Sequence, residues 1–167
     1  MAGIASGVRL KSSRLNRFPV SLAAIVLVFA MQSMGQASVV INEIHYNPPA
    51  PGGRDLEFVE LYNSGPTALA IAGWKLEGGI YFEFPAGAEI PASGYVVVCR
   101  DRDLAAESYN VSRAELFGNY EGSLDNDGDK VSLLDGFNAV ADVVRYDDRF
   151  PWPFGSGSVD GGGASLE

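Results

Sequence analysis

The chain has 167 residues, 47% of them hydrophobic and 20% charged, with 20 Gly and 9 Pro. That is about one domain of sequence, too apolar for a disordered tail and too rich in helix breakers for a long coiled coil. One Cys and one His exclude a disulfide framework and a Cys/His zinc site.

Four of the 12 basic residues (Arg9, Lys11, Arg14, Arg17) precede every acid in the chain. Residues beyond 37 therefore carry eight basic against 21 acidic side chains, a net charge of −13. Such a surface repels phosphate backbones, which excludes nucleic acid as a bulk electrostatic partner. The four cations lead into Phe18 to Met31, an uncharged apolar run of 14 residues, and then into Gly35-Gln36-Ala37. A bilayer core needs about 20 apolar residues, so the run is short for an anchor and suits a secretory h-region ending at small residues. Residues 1–37 are read as a signal peptide cleaved after Ala37, with no membrane span afterwards and a secreted or cell-surface destination. An uncleaved anchor is the competing reading.

Beyond residue 37, short runs of Val, Ile, Tyr and Phe recur between clusters of Gly, Pro, Asn and Asp, the pattern of strands and turns. Val39 to Tyr46 stops at Asn47-Pro48-Pro49, and a loop through Pro51-Gly52-Gly53 leads to Glu57 to Tyr62. Asn63-Ser64-Gly65-Pro66 then punctuates the chain. Strands are predicted over Ala68 to Ile71, Trp74 to Leu76, Ile80 to Phe84 and Tyr95 to Cys99, with a turn around Ile90 between the last two. Leu104 to Tyr109 has the only good helix formers, with Asp103 as its candidate cap. Strands at Lys130 to Leu134 and Val140 to Tyr146 follow. Asp142 shares the parity of Val144 and Tyr146, so it either points inward with a hydrogen-bond partner or marks a bulge. Seven to nine short strands with no long helical crossover predict an all-β antiparallel sandwich over residues 38–154. Residues 155–167 are a Gly/Ser-rich end, flexible by composition.

The ordered set of motifs resembles the lamin tail domain, the immunoglobulin-like sandwich of nuclear lamins and of many exported bacterial proteins. Val40-Ile41-Asn42-Glu43-Ile44 with Tyr46-Asn47-Pro48 resembles the family's opening strand, and Glu57-Phe58-Val59-Glu60-Leu61-Tyr62-Asn63 its most recognisable segment. Leu69, Gly73-Trp74 and Leu76 follow its next pattern, and Phe84-Pro85-Ala86-Gly87 with Ile90 to Tyr95 a turn and strand of the bacterial branch. Gly122-Ser123-Leu124, Gly128 to Leu133 and Asp142 to Tyr146 complete the set. The resemblance implies a fold that is all-β, an immunoglobulin-like antiparallel β-sandwich. It also implies that Ser165-Leu166-Glu167 begins a last strand that is incomplete here. A buried Trp74 at the centre of the two-sheet core is the matching physical expectation.

Candidate sites are few. Asp125, Asp127 and Asp129 stand at alternate positions, as ligands of a calcium ion do. An EF-hand, however, wants Gly where Lys130 stands and Glu where Gly136 stands, so the favoured reading is a turn with solvated acids. Tyr146, Phe150 and Trp152, the last two in a Pro-interleaved run, form a candidate ligand surface; the competing reading tucks Trp152 against the sandwich edge. His45 lacks a recognisable nucleophile or orienting acid and is read as packing. Glu57 and Glu60 flank Val59, where acids must meet water or pair. Cys99 is read as a small buried hydrophobe. Asn110-Val111-Ser112 has the pattern of a glycosylation sequon. No catalytic set and no cofactor is expected. The expected function is an exported interaction or spacer module that binds a protein or a cell-surface or matrix glycan. The alternatives are a carbohydrate-binding module and the non-catalytic front of a secreted hydrolase.

Overall fold

A computed structural model describes residues 39–150, 152 and 164–166. Residues 1–37, read above as a signal peptide, and most of the Gly/Ser-rich end therefore lie outside the described residues. In chain order the elements are β1 (Val39–His45), β2 (Phe58–Asn63), β3 (Leu69–Ala70), β4 (Lys75–Gly78), β5 (Ile80–Glu83), β6 (Glu89–Ile90) and β7 (Tyr95–Cys99). Helix α1 (Arg102–Tyr109) and strands β8 (Leu116–Gly118), β9 (Glu121–Gly122), β10 (Gly128–Leu134) and β11 (Val140–Asp147) complete them. One sheet has the order β1-β2-β7-β8 and the other β11-β10-β4-β5-β9, with β3 and β6 forming a small pair of their own. The fold is the immunoglobulin-like sandwich that the motifs imply.

Alternation builds the core. Positions 57, 59, 61 and 63 point inward on and beside β2, and all four are buried. Val96 and Val98 of β7, Leu76 of β4 and Val131 and Leu133 of β10 join Val59 and Leu61 there. A bulge between Ile41 and Glu43 shifts the parity of β1, so that Val39 and Ile41 point inward before it and Ile44 after it. Phe84 meets Phe82 and Phe117 edge-on at 5.1 and 5.3 Å, tying β5 to β8 across the two sheets.

Three details differ from the sequence expectation. Strand β8 runs parallel to β7, whereas the sandwich was expected to be antiparallel throughout. The short α1 makes this crossover, capped by Asp101 and not by Asp103: Asp101 Oδ1 accepts from the amides of Asp103 and Leu104 at 3.0 Å. Trp74 is half-buried against the core and does not occupy its centre, because it lies in the turn before β4, where its amide donates to Ile71. Strands β8 and β9 are three and two residues long, too short to show a period.

Both alternatives raised for Asp142 hold together. The β10–β11 register shifts between Leu133 and Leu134, and Asp142 Oδ2 accepts from the Ile41 amide at 2.8 Å. The shift turns Val140 out to solvent, away from the face shared by Val144 and Tyr146. Leu166 exchanges two backbone hydrogen bonds of 2.9 Å with Ile44 and is buried, an isolated bridge on the outer edge of β1.

At the other end of β2, Asn63 is fully buried. Its side-chain nitrogen lies 2.9 Å from the Thr67 carbonyl and 3.0 Å from that of Pro91, while its oxygen accepts from the Gly65 amide at 2.9 Å. One amide thus holds the loop after β2 against the loop after β6. Asn63→Ala should lower unfolding free energy by about 3 kcal/mol in denaturant titrations, since several buried groups lose their partner together.

Candidate functional site

Glu57 is the most deeply placed charge among the described residues, with 1% of its surface exposed. The 3₁₀ turn Gly53–Leu56 delivers it to the start of β2. Its Oε2 accepts from the Tyr120 hydroxyl at 2.9 Å and from the Leu124 amide at 3.0 Å. Arg100 lies 3.9 Å from the same oxygen and Arg54 3.9 Å from Oε1. Arg100 also faces Asp55 at 3.4 Å and donates to the Gly122 carbonyl. Burial pushes the Glu57 carboxyl above its ordinary 4.5, against the lowering pull of its two donors and the two guanidinium groups. Burial and the neighbouring carboxylate hold the Tyr120 hydroxyl above the usual phenol range.

This clasp forms the floor of one end of the sandwich. Above it lies a cleft of about 430 Å³ lined by Arg54, Gly79, residues 123–127 and Asp129. Gly79 lets the Asp129 carboxylate sit close, because a Cβ there would lie 1.7 Å from its oxygen and displace it. Asp125 Oδ1 accepts from the Asp127 amide at 2.9 Å, and the Asp125 carbonyl accepts from the Gly128 amide at 3.3 Å. Asp129 Oδ1 accepts from Lys130 at 2.6 Å. These are the bonds of an Asx turn leading into β10. Gly128 follows at φ 122°, a conformation that L side chains rarely adopt. Among the described residues no three acidic, His or Cys side chains gather as a metal-holding group, so Asp125, Asp127 and Asp129 are neighbours on a turn without converging on one point.

The structure puts Tyr146 and Trp152 on one depression of about 470 Å³, with Asp127, Asp129, Lys130 and Asp147, and leaves Phe150 outside its lining. Tyr146 is 4% exposed, stacks on Tyr46 at 4.7 Å and donates to the Asp125 carbonyl at 2.9 Å. Trp152 is half-buried against the core beside Ile41, Val144 and Leu166, in the edge-covering position. Phe150 is 85% exposed.

His45 is buried between Phe58, whose ring meets it edge-on at 5.2 Å, and Tyr109, whose hydroxyl is 3.4 Å from Nδ1. Its Nε2 has no hydrogen-bond partner among the described residues, and burial lowers its pKa below 6.5. Cys99 is buried, and its thiol is pushed up to about 12, a range where it is inert as a nucleophile. Sequence reading singled out Glu57 but missed Asn63, Arg100 and Tyr120. The signal for Asn63 was parity, since it stands an even number of positions from Val59 and Leu61.

Glu57→Ala leaves a buried hydroxyl and amide without an acceptor and should cost about 3 kcal/mol. Glu57→Gln can keep both bonds through its Oε1 and should cost under about 1 kcal/mol. A carboxyl with a raised folded pKa stabilises most below the unfolded value and loses that contribution as pH rises through the folded one. His45 acts in the opposite sense, its contribution being present above 6.5 and lost as pH falls through its lowered folded pKa. Denaturant titrations from pH 4.5 upward should show Glu57→Gln removing the falling limb, and titrations below pH 6.5 should show His45→Leu reducing the acid loss.

The comparisons agree with this architecture. Residues 32–148 match the family model described as Lamin Tail Domain. No curated protein matches the chain. The family match runs from before β1 into the loop beyond β11 and covers well over half of the chain, with the Glu57 clasp and the Asn63 anchor both inside it: the chain belongs to the lamin tail domain family, a family of immunoglobulin-like interaction domains.

Proposed function

We propose that this chain is an exported, non-enzymatic module that holds a protein partner at the cell surface or in the extracellular matrix. The carrying observation is where the reactive side chains are used. Glu57 binds Tyr120 and Leu124, His45 is enclosed by Phe58 and Tyr109, and Cys99 is buried beneath α1. Each of these groups stabilises the fold from inside, which suits a domain that recognises with its surface. Export is supported by the cations before residue 18, the apolar run of 14 residues and the small residues before Ser38. No helix among the described residues is long and apolar enough to cross a membrane.

A second reading, carbohydrate binding, is favoured by the exposure of Phe150 alone among the three aromatics. Glycan-array binding that vanishes in Phe150→Ala at unchanged melting temperature would support it. Calcium has no place in the module as proposed. Millimolar calcium should change unfolding free energy by less than about 0.5 kcal/mol, against about 2.7 kcal/mol for a site at a hundredfold excess over its Kd. For export, expression in a secreting host followed by terminal sequencing should yield a released chain that begins at Ser38. A cell-retained chain that begins at Met1 overturns the export reading.

A further inference from the structure

One row of the first sheet sets His45 opposite Phe58 and Phe58 opposite Cys99. All three lie on its outer face, since Ile44, Val59 and Val98 beside them point into the core. Helix α1 roofs this row. Its Ala105 and Ala106 pack with Cys99 and Leu116, and Tyr109 in its last turn meets the Phe58 ring edge-on at 6.0 Å. His45 is 5% exposed and Cys99 1%.

The hydrogen bonds at His45 run in one direction. The Tyr109 hydroxyl donates to the Leu56 carbonyl at 3.3 Å and stands 3.4 Å from His45 Nδ1. With its own proton committed to Leu56, the hydroxyl offers lone pairs to the ring. That pattern assigns the neutral tautomer with its proton on Nδ1 and a bare Nε2. Nε2 is buried with no partner among the described residues. Protonation there makes a charged donor with nothing to accept from it, and burying such a group is costly. The charged groups nearest in the ladder are Glu43, two residues earlier on β1, and Glu60, opposite it on β2; both favour a cation. Helix α1 brings the neutral Tyr109 hydroxyl, and Arg54 and Asp55 of the turn before β2 face Glu57 and Arg100. Burial prevails over the acids and lowers the pKa.

Of the elements around His45, α1 is the one that can yield. Its eight residues are too few to stay helical without tertiary contacts. Its first turn is fixed by the Asp101 cap, by the Arg102 amide on Asn119 Oδ1 at 2.9 Å and by the pairing of Asp103 with Arg113. Its last turn rests on Tyr109, the residue that touches the imidazole. We propose that α1 is an acid-released lid: protonation of His45 at Nε2 displaces Tyr109, and the last turn of the helix lifts from the sheet and uncovers the row beneath. Once lifted, His45 meets water and regains the ordinary 6.5, so each pH unit below that value favours the open lid by up to about tenfold.

Cys99, the single cysteine, reports on the lid because it lies under it. The test is its labelling by dithiodipyridine in the full chain, each rate divided by that of glutathione at the same pH to remove the change in thiolate fraction. The corrected rate should rise about tenfold from pH 6.5 to about pH 5, with the circular dichroism of the sandwich unchanged. In His45→Phe, whose ring fills the site without titrating, the rate should stay flat. Hydrogen exchange of the unaltered chain decides the matter even where that variant does not fold. Corrected for intrinsic exchange, the amides of Ala105 to Tyr109 should lose protection over the same pH range while those of β2 and β10 keep theirs. A pH-independent rate, or an equal rise in His45→Phe, overturns the proposal. So does loss of protection in β2 and β10 in step with α1, which is unfolding of the whole sandwich.

Discussion

A carboxylate enclosed by protein is the constraint from which much of this sandwich follows. Burying a charge without partners costs several kcal/mol, so Glu57 can be where it is only if donors come to it. Tyr120 and the Leu124 amide do so, with Arg54 and Arg100 at the rim. They belong to the segment between β8 and β10, which must therefore cross the end of the sandwich and approach β5 closely. Gly79 and Gly122 make that approach feasible: a Cβ on Gly122 would lie 2.3 Å from the Gly79 carbonyl. One buried acid thus positions a loop, and the loop positions the Asp125–Asp129 turn above it. Asn63 plays the corresponding part at the far end of β2, so that the strand is pinned by a buried polar group at both ends.

The same economy governs the edges. Strands β1 and β11 are the outer strands of their sheets, and unpaired edges invite unwanted pairing. Each carries a bulge, and the two are joined by the Asp142 carboxylate on the Ile41 amide. Leu166 occupies the edge of β1 at Ile44, while Trp152 covers the apolar side chains between the strands. An exposed edge is here capped by a side chain, paired by backbone and roofed by an indole within a few residues. The broad outer face of the first sheet is treated differently, with helix α1 shielding one part of it.

Legibility in the sequence followed the length and period of each element. Tyr95–Cys99 coincides with its predicted span, and the ends of β1, β2, β10 and β11 differ from theirs by one or two residues. Alternation over five or more positions separates the core side from the solvent side without knowledge of neighbours. The three-residue β8 and two-residue β9 carry no such signal, and the parallel pairing of β8 depends on where α1 returns the chain. The Asp-rich turn was legible through its Asn-Asp-Gly chemistry. The aromatic surface was legible only in part: Tyr146 and Trp152 line one depression, but the strand end buries Tyr146, Trp152 lies half-buried at the edge, and Phe150 stands exposed in the loop.

By itself the sequence determined a strand-and-turn domain, because hydrophobic period and turn residues act over a few positions, while the order of its motifs carried the resemblance to the lamin tail family. It also determined the acidic balance, which is a matter of counting. Only the tertiary structure decided that Glu57 and Asn63 are buried clasps, that Tyr146 belongs to the core, and that His45 and Cys99 share one row beneath α1. Those outcomes depend on which side chains meet from distant parts of the chain, and contact across a fold is settled by register and packing, which local pattern does not encode.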